Sequence, residues 1–445
     1  MTAIVLQGDA RHLPLPDGCA DLVVTSPPYF GLRSYTDGGE HYAGQIGSEA
    51  TPAEYIAALV ECTREWVRVL KPSGSMFINL GDKYSSPQGP RTGRKSDGLL
   101  STRNGHGGGP KWPTSERTDA IAGFREKSLL GLPWRYALAC MDQLGLILRA
   151  EVIWAKPNGL PESVTDRVRR AHEQVFHFTR QPRYYAAVDE IREPHEARPQ
   201  RRFTAMKPTS LNNHDRVGGW QGMARDEPAN DGHPLGKLPG SVWSIPSAPL
   251  VVPPEVGVDH FAAFPPALVR PIILGWSPPG ICTACGEGRR PVVVAEFDTQ
   301  GRTTNGPKND ARGTVGALHM AASIRSVRST TITGYACMCS ERACRRCVET
   351  DAGLVCQADL GGVCAKNALP PTRPAVVLDP FGGTGTTALV ATTHGRIGIG
   401  VDLSADYCRL ARWRVRDPGE RARARDMPKP PPIPPGMEPL FEMEA

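Results

Sequence analysis

The stretch Val377-Leu378-Asp379-Pro380-Phe381-Gly382-Gly383-Thr384-Gly385-Thr386-Thr387-Ala388 reads as a strand, a glycine-rich turn and the first turn of a helix. Its glycines let the backbone bend sharply and approach a ligand closely. The N–H groups that open the following helix are free to bind an anion. Ile397 to Val401 reads as the next strand and ends at Asp402, 23 residues beyond Asp379. An acid at that place suits the two hydroxyls of a ribose. A turn that merely needs glycine, with Asp402 as a helix cap, explains each piece but not their order. A phosphate-binding loop fits poorly, because no Gly-Lys-Ser/Thr follows the glycines. Strand, turn, helix, strand and acid together point to an α/β fold with a nucleoside site.

Outward from that stretch, strand and helix signals alternate at both ends of the chain. Ile4 to Leu6 reads as a short buried strand, and Ala20 to Thr25 as another. Thr51-Pro52-Ala53-Glu54 carries a capping box and a first-turn proline. Tyr55, Leu59, Trp66 and Leu70 then follow helical spacing. Ser75 to Leu80 returns as a strand. Leu132 to Leu144 reads as a helix, Leu146 to Trp154 and Val175 to Thr179 as strands, and Ser404 to Arg416 as a closing helix. This alternation predicts a parallel, doubly wound sheet completed by both termini, with insertions between them.

The chain has 445 residues, 40% of them apolar, enough for a large core with insertions. Its formal net charge of +6 suits a polyanion only weakly. With 47 glycines and 43 prolines, long loops are expected. Residues 85–127 are rich in Gly, Ser, Arg and Lys and read as a mobile basic loop, and the Pro-rich tail from Pro418 reads as disordered. The lack of an 18-residue apolar run or a signal-like N-terminus predicts a cytoplasmic protein without a membrane partner.

Thr25-Ser26-Pro27-Pro28-Tyr29-Phe30 directly follows a strand. The Ser26 hydroxyl and the Pro27 carbonyl can both accept hydrogen bonds, and the tandem prolines fix the carbonyl direction. Such a pair suits the exocyclic amine of cytosine or adenine. That amine is a poor nucleophile because its lone pair is delocalised into the ring, so it must be drawn toward tetrahedral geometry. Tyr29 can stack on an extruded base. A Pro-Pro turn with an exposed aromatic, or a proline-rich ligand for a partner domain, is the plainer alternative. Attack at cytosine C5 would need a nucleophilic Cys after Pro, and the chain has no Pro-Cys pair.

Eight of the 12 cysteines fall between Cys282 and Cys364. In a cytosolic chain they read as metal ligands rather than disulfides. Cys282 and Cys285 form a CxxC knuckle that Cys337 and Cys339 complete to four thiolates. Cys344, Cys347, Cys356 and Cys364 supply a second set. Four thiolates suit tetrahedral Zn²⁺, which staples a segment too small for its own core.

Together the two turns resemble those of the β-class amino-directed (N4-cytosine and N6-adenine) DNA methyltransferases. Ser26-Pro27-Pro28-Tyr29 is similar to their catalytic motif, and Asp379 to Thr387 to their cofactor motif, in β-class order. Further segments fit: Leu6 to Asp9, Arg68 to Gly74, Ile78 to Asp82, Glu151 to Asn158, and His260 to Pro265 with the motif X aromatic. The resemblance implies a Rossmann-like methyltransferase sheet and S-adenosylmethionine as cofactor. It implies Ser26, Pro27, Pro28 and Tyr29 as catalytic residues. For the cofactor it implies Asp9 near the adenine and Phe264 near the methionine. Asp379, Pro380, Phe381, Gly382, Gly383, Thr384, Gly385, Thr386 and Asp402 would line the rest.

The resemblance also implies domains. Residues 1–193, 259–280 and 373–417 would form the catalytic domain, 194–258 a target-recognition region, 281–372 a zinc-binding insertion and 418–445 a tail. Arg198, Arg201, Arg202, Asn212, Asn213, Arg216 and Trp220 are candidate DNA-reading residues. The implied partner is double-stranded DNA, and a cognate restriction endonuclease is a further one the resemblance allows. Ser at position 26 leans toward cytosine N4, with adenine N6 as the alternative. RNA or protein methylation, or a non-catalytic zinc DNA-binding module, are the remaining readings. Protein-directed relatives usually carry Asn before Pro-Pro-Tyr.

Overall fold

The computed structural model describes residues 3–31, 36–37, 40–41, 44–85, 124–159, 161–194, 235–258, 264–297, 327–337, 347–350, 353–356 and 370–428. Most of the expected basic loop and target-recognition region, and the stretch 298–326, lie outside them. Among the described residues no helix is long and apolar enough to cross a membrane.

The elements in chain order begin with β1 (Ala3–Gln7), β2 (Ala20–Thr25), α1 (Pro52–Val69), β3 (Leu70–Leu80) and α2 (Leu132–Leu144). Then follow β4 (Ile147–Ala155), β5 (His172–Thr179), β6 (Val242–Ser244) and α3 (Pro266–Trp276). The cysteine-rich insertion contributes β7 (Ile281–Cys282), β8 (Arg290–Phe297), β9 (Val327–Ala336), β10 (Cys347–Thr350), β11 (Gly353–Cys356) and β12 (Thr372–Arg373). The chain closes with β13 (Val376–Asp379), α4 (Thr386–Thr393), β14 (Ile397–Asp402), α5 (Ala405–Arg414) and α6 (Pro418–Ala424).

Eight strands form the main sheet in the order β1-β14-β13-β2-β3-β5-β4-β6. α1 begins at the expected capping box: Glu54 N donates to Thr51 Oγ1 at 3.2 Å, and Thr51 N to Glu54 Oε2 at 3.0 Å. α1 carries the chain from β2 to its parallel neighbour β3, and α4 carries it from β13 to β14. The first strand is less buried than expected, with Ile4 36% exposed, because β1 lies at the sheet edge.

The sheet is not wholly parallel as expected: β5 pairs antiparallel with both neighbours, β3 and β4. Residues 156–171, which join β4 to β5, carry no helix among the described residues, so the chain turns straight back.

Alternate side chains of the central strands feed two cores. Val23, Met76, Ile78, Phe176 and Phe178 pack with α1 and α2 on one face. Leu22, Val24, Phe77 and Val175 pack with α3 and α4 on the other. Helices on both faces make the sheet doubly wound, a Rossmann-like arrangement.

The start of the expected tail departs from expectation, while residues 429–445 lie outside the described residues. Pro418 begins helix α6 rather than disordered chain; Asp417 caps it by accepting from Glu420 N at 2.8 Å. The helix is held because Glu420 meets the buried Arg414 at 2.8 Å. Arg414 in turn donates to Thr384 Oγ1 at 2.8 Å and Thr386 Oγ1 at 2.7 Å, so α6 props the glycine-rich turn from behind. Glu420→Ala would leave a buried guanidinium without its carboxylate, a loss of about 3–5 kcal/mol. Urea unfolding of the variant should show that drop, and an unchanged midpoint would sever α6 from the stability of the turn.

Candidate active site

In a sheet of this kind the strand ends on one edge face a crevice where the connections diverge to opposite sides. Here that point lies between β2 and β13, which pair directly at Leu22–Val377 and Val23–Leu378. Ser26 therefore follows β2 beside the turn that follows β13. Asp9 beyond β1, Asn79 in β3, Lys156 beyond β4 and Asp402 in β14 reach the same edge. Because β5 runs the other way, it brings its beginning, Glu173, to that edge. All these residues line one cleft of about 310 Å³.

The Ser26–Tyr29 turn is held tightly. Tyr55 Oη donates to the Pro28 carbonyl at 2.8 Å. A Cβ on Gly81 would lie 2.7 Å from Tyr29 Cε2, and one on Gly47 2.9 Å from the Tyr29 carbonyl, so Gly81 leaves room for the ring and Gly47 for the backbone of the turn. Tyr29 Oη donates to Glu173 Oε2 at 2.7 Å. Asn79 Nδ2 reaches Tyr29 Oη and Glu173 Oε2, both at 2.9 Å, and Ser26 Oγ at 3.3 Å. Lys156 Nζ pairs with Glu173 Oε1 and lies 4.0 Å from the centre of the Trp154 ring. Burial, and then the facing Glu173 carboxylate, hold the Tyr29 phenol well above its ordinary pKa, so it stays a donor.

The glycine-rich turn takes the expected form. Gly383 and Gly385 have φ of 47° and 78°, the left-handed region that favours glycine. A Cβ on Gly385 would meet Ala411 Cβ at 2.8 Å. Asp402 closes the turn, accepting from Gly383 N at 2.8 Å and Ser404 N at 2.9 Å. Pro380, Phe381, Gly382, Gly383 and Thr384 line the cleft, as does Phe264 from the start of α3. Phe381 stands edge-on to Trp66, with ring centres 5.8 Å apart.

Several residues expected to contact a cofactor are already engaged. The Thr384 and Thr386 hydroxyl oxygens accept from Arg414, which leaves each O–H as a donor, and both residues line the cleft. Asp9 is gripped by Arg11, with Nη2 to Oδ2 at 2.6 Å, which holds its carboxyl below the usual carboxylate range. The buried Asp379 accepts from Thr387 Oγ1 at 2.9 Å and Phe381 N at 3.1 Å, so its carboxylate shapes the turn.

Three side chains at the heart of the cleft were not assigned roles from sequence: Asn79, Lys156 and Glu173. Each lies at the end or beginning of an apolar strand, and a polar residue there is the signal that could have found them. Glu173 was hidden because the direction of β5 is not written in its residues.

The insertion starts and ends on paired strands, β7 and β12, with Cys282 opposite Thr372. The sulfurs of Cys282, Cys285 and Cys337 lie within 4.8 Å of one another. Backbone N–H groups, that of Cys285 foremost, pull the Cys282 thiol down to about 6. Cys347 and Cys356 are opposite one another in the β10–β11 hairpin. Cys339, Cys344 and Cys364 lie outside the described residues, as do Arg198, Arg201, Arg202, Asn212, Asn213, Arg216 and Trp220.

Comparison with known proteins bears on the same segments. A family described as DNA methylase matches residues 20–283 and 372–412, so the match omits most of the cysteine-rich insertion. The Type II methyltransferase M.SmaI of Serratia marcescens is 34% identical over 301 residues, 66% of this chain and 84% of its own. The Type II methyltransferase M.Cfr9I of Citrobacter freundii is 32% identical over 303 residues, 67% of this chain and 81% of its own. A solved PvuII DNA methyltransferase, described as cytosine-N4-specific, aligns over 96% of this chain and 91% of its own, at 14% identity and a TM-score of 0.46.

Asp379 supplies a test of the turn. Burial lifts its carboxyl to about 7, whereas in an unfolded chain it titrates near about 3.9. Between those values the folded state keeps a proton that the unfolded state has lost. Its contribution therefore favours folding at low pH and is lost as pH rises from about 4 through about 7. Asp379→Asn removes this titration. The stability of wild type relative to the variant should rise as pH falls from about 7 to about 4 in urea unfolding, and a constant difference would refute the buried carboxyl.

Proposed function

The chain belongs to the DNA methylase family, as an S-adenosylmethionine-dependent DNA methyltransferase directed at exocyclic amines, and from that membership we propose that it forms N4-methylcytosine in duplex DNA. The observation that carries this reading is the neutral hydroxyl of Ser26 heading the Pro-Pro-Tyr turn, in the same cleft as the glycine-rich turn.

The cleft fits the cofactor in donor chemistry. Asp402 and Asp9 offer carboxylate oxygens for hydroxyl and amino donors, and a carboxylate accepts more than the bonds it already makes here. Phe381 and Phe264 offer apolar walls. The first N–H groups of α4 suit a carboxylate. When bound, S-adenosylmethionine supplies an electrophilic methyl group on its sulfonium.

The chain's own residues then position the base. Tyr29, backed on one side by Gly81, presents its ring for stacking on a flipped base. Ser26 Oγ and the Pro27 carbonyl accept from the target amine and draw it toward tetrahedral geometry. A base seated in the cleft would displace water from these few acceptors, which would then act in a lower dielectric. The relatives are Type II methyltransferases, and a companion endonuclease of the same site specificity belongs to the proposal. DNA methylated by the protein, digested to nucleosides and analysed by mass spectrometry, should contain N4-methylcytosine. Ser26→Ala should slow its formation about 10²-fold or more while cofactor affinity holds. N6-methyladenine alone would move the target to adenine, and 5-methylcytosine would overturn the mechanism.

We also propose that Cys282, Cys285 and Cys337 hold structural zinc, completed by Cys339, with Cys344, Cys347, Cys356 and Cys364 as a second set. The convergence of three sulfurs supports the first set. Metal analysis of protein purified without chelators should find about two zinc ions per chain. Metal-free protein that keeps its fold would defeat the assignment.

A further inference from the structure

The target amine must lose a proton, and the cleft contains a chain of hydroxyls that leads away from it. We propose that Ser26, Tyr29 and Glu173 form a proton relay whose terminal acceptor is the Glu173 carboxylate. The inference rests on the reading of the Ser26 turn as the methyl-transfer site.

The hydrogen bonds run in one direction. Ser26 Oγ donates to Tyr29 Oη at 3.4 Å, and Tyr29 Oη donates to Glu173 Oε2 at 2.7 Å. The first link is long, as such contacts often are before substrate binds and tightens them. The raised phenol pKa keeps Tyr29 protonated, so it can pass one proton on while receiving another. Asn79 Nδ2 lies within hydrogen-bond distance of Ser26 Oγ, Tyr29 Oη and Glu173 Oε2, and its two N–H groups, shared among them, gather the three oxygens around one amide. Its orientation is fixed: turned over, its carbonyl would face the Glu173 carboxylate, two acceptors with no proton between them. Lys156 engages the other oxygen, Oε1, which leaves Oε2 to the relay.

The balance is simple. The amine lone pair forms the N–CH₃ bond as the C–S bond breaks, with its electron pair left on sulfur. The nitrogen then carries a positive charge. It releases one proton to Ser26 Oγ, the Ser26 proton passes to Tyr29 Oη, and the Tyr29 proton passes to Glu173 Oε2. Glu173 ends as a neutral acid and returns its proton to water once product has left. A cationic exocyclic amine conjugated to the ring is a strong acid, so the acceptor needs proximity more than basicity. Ser26 alone, being neutral, offers no lasting place for the proton. The carboxylate that the first position of the catalytic turn lacks is thus supplied from β5.

The test uses the full chain and unmethylated plasmid DNA with labelled S-adenosylmethionine, enzyme in excess. Glu173→Gln keeps the shape but cannot take a proton, and Tyr29→Phe keeps the ring but cuts the relay. Each should lower the single-turnover rate roughly 10²-fold. Affinities for cofactor and for plasmid should stay within about twofold, because the relay acts on chemistry and not on binding. The double variant should be no slower than the slower single variant, as expected for residues acting as one unit. Glu173→Asp, which keeps a carboxylate, should recover part of the rate. A Glu173→Gln rate within about threefold of wild type, or losses that multiply in the double variant, would overturn the relay. If Glu173→Gln fails to fold, a Tyr29→Phe variant at full rate overturns it equally. A slow Ser26→Ala variant beside a full-rate Glu173→Gln would defeat the relay alone. A full-rate Ser26→Ala would defeat the reading beneath it.

Discussion

The pairing of β2 with β13 is the contact on which the active cleft depends. Two strands more than 350 residues apart in the chain lie side by side, joined at Leu22–Val377 and Val23–Leu378. Side chains reinforce the junction: Thr387 Oγ1 donates to the Val24 carbonyl at 3.1 Å, and Val376 N to Asp21 Oδ2 at 2.9 Å. Because both strands run the same way, the turns that follow them emerge on one edge. That common direction places Ser26 beside Asp379 and makes a single cleft from two distant motifs.

Near that junction two buried ionisable groups are tied to backbone and side chains that shape the cleft. The buried carboxyl of Asp379 shapes the turn through Thr387 and Phe381, and the buried guanidinium of Arg414 is neutralised by Glu420 while it holds Thr384 and Thr386. Each arrangement converts a costly buried polar group into a fixed position for backbone near the cleft. On the opposite wall, Lys156, Glu173, Asn79 and Tyr29 form a connected network. Pre-set donors and acceptors of this kind need little reorganisation when charge develops during reaction.

The insertion leaves this machinery undisturbed because its ends meet. β7 and β12 pair directly, so a stretch of nearly 90 residues departs from and returns to one place. It is anchored to the catalytic core by Tyr185 Oη, which donates to the Arg289 carbonyl at 2.9 Å. Gly288 packs so closely there that a Cβ would come within 2.7 Å of Pro278. The three converging thiols sit at the base of this attachment, where a bound metal would brace it.

By itself the sequence determined the two turns, the capping of α1, the alternation of strands and helices, and the cysteine knuckle. All are local: glycine at a positive φ, proline in a fixed turn, a Thr–Glu box and a CxxC spacing act within a few residues. Only the tertiary structure decided that β5 runs against the sheet, and therefore that Glu173 faces Tyr29. It likewise decided that Arg414 donates to the Thr384 and Thr386 hydroxyls from behind the turn, and that Pro418–Ala424 is helical. Strand direction, and the partner that a buried charge finds, depend on how distant segments pack. No local pattern encodes them, because the free energy that selects them is gained only when those segments meet.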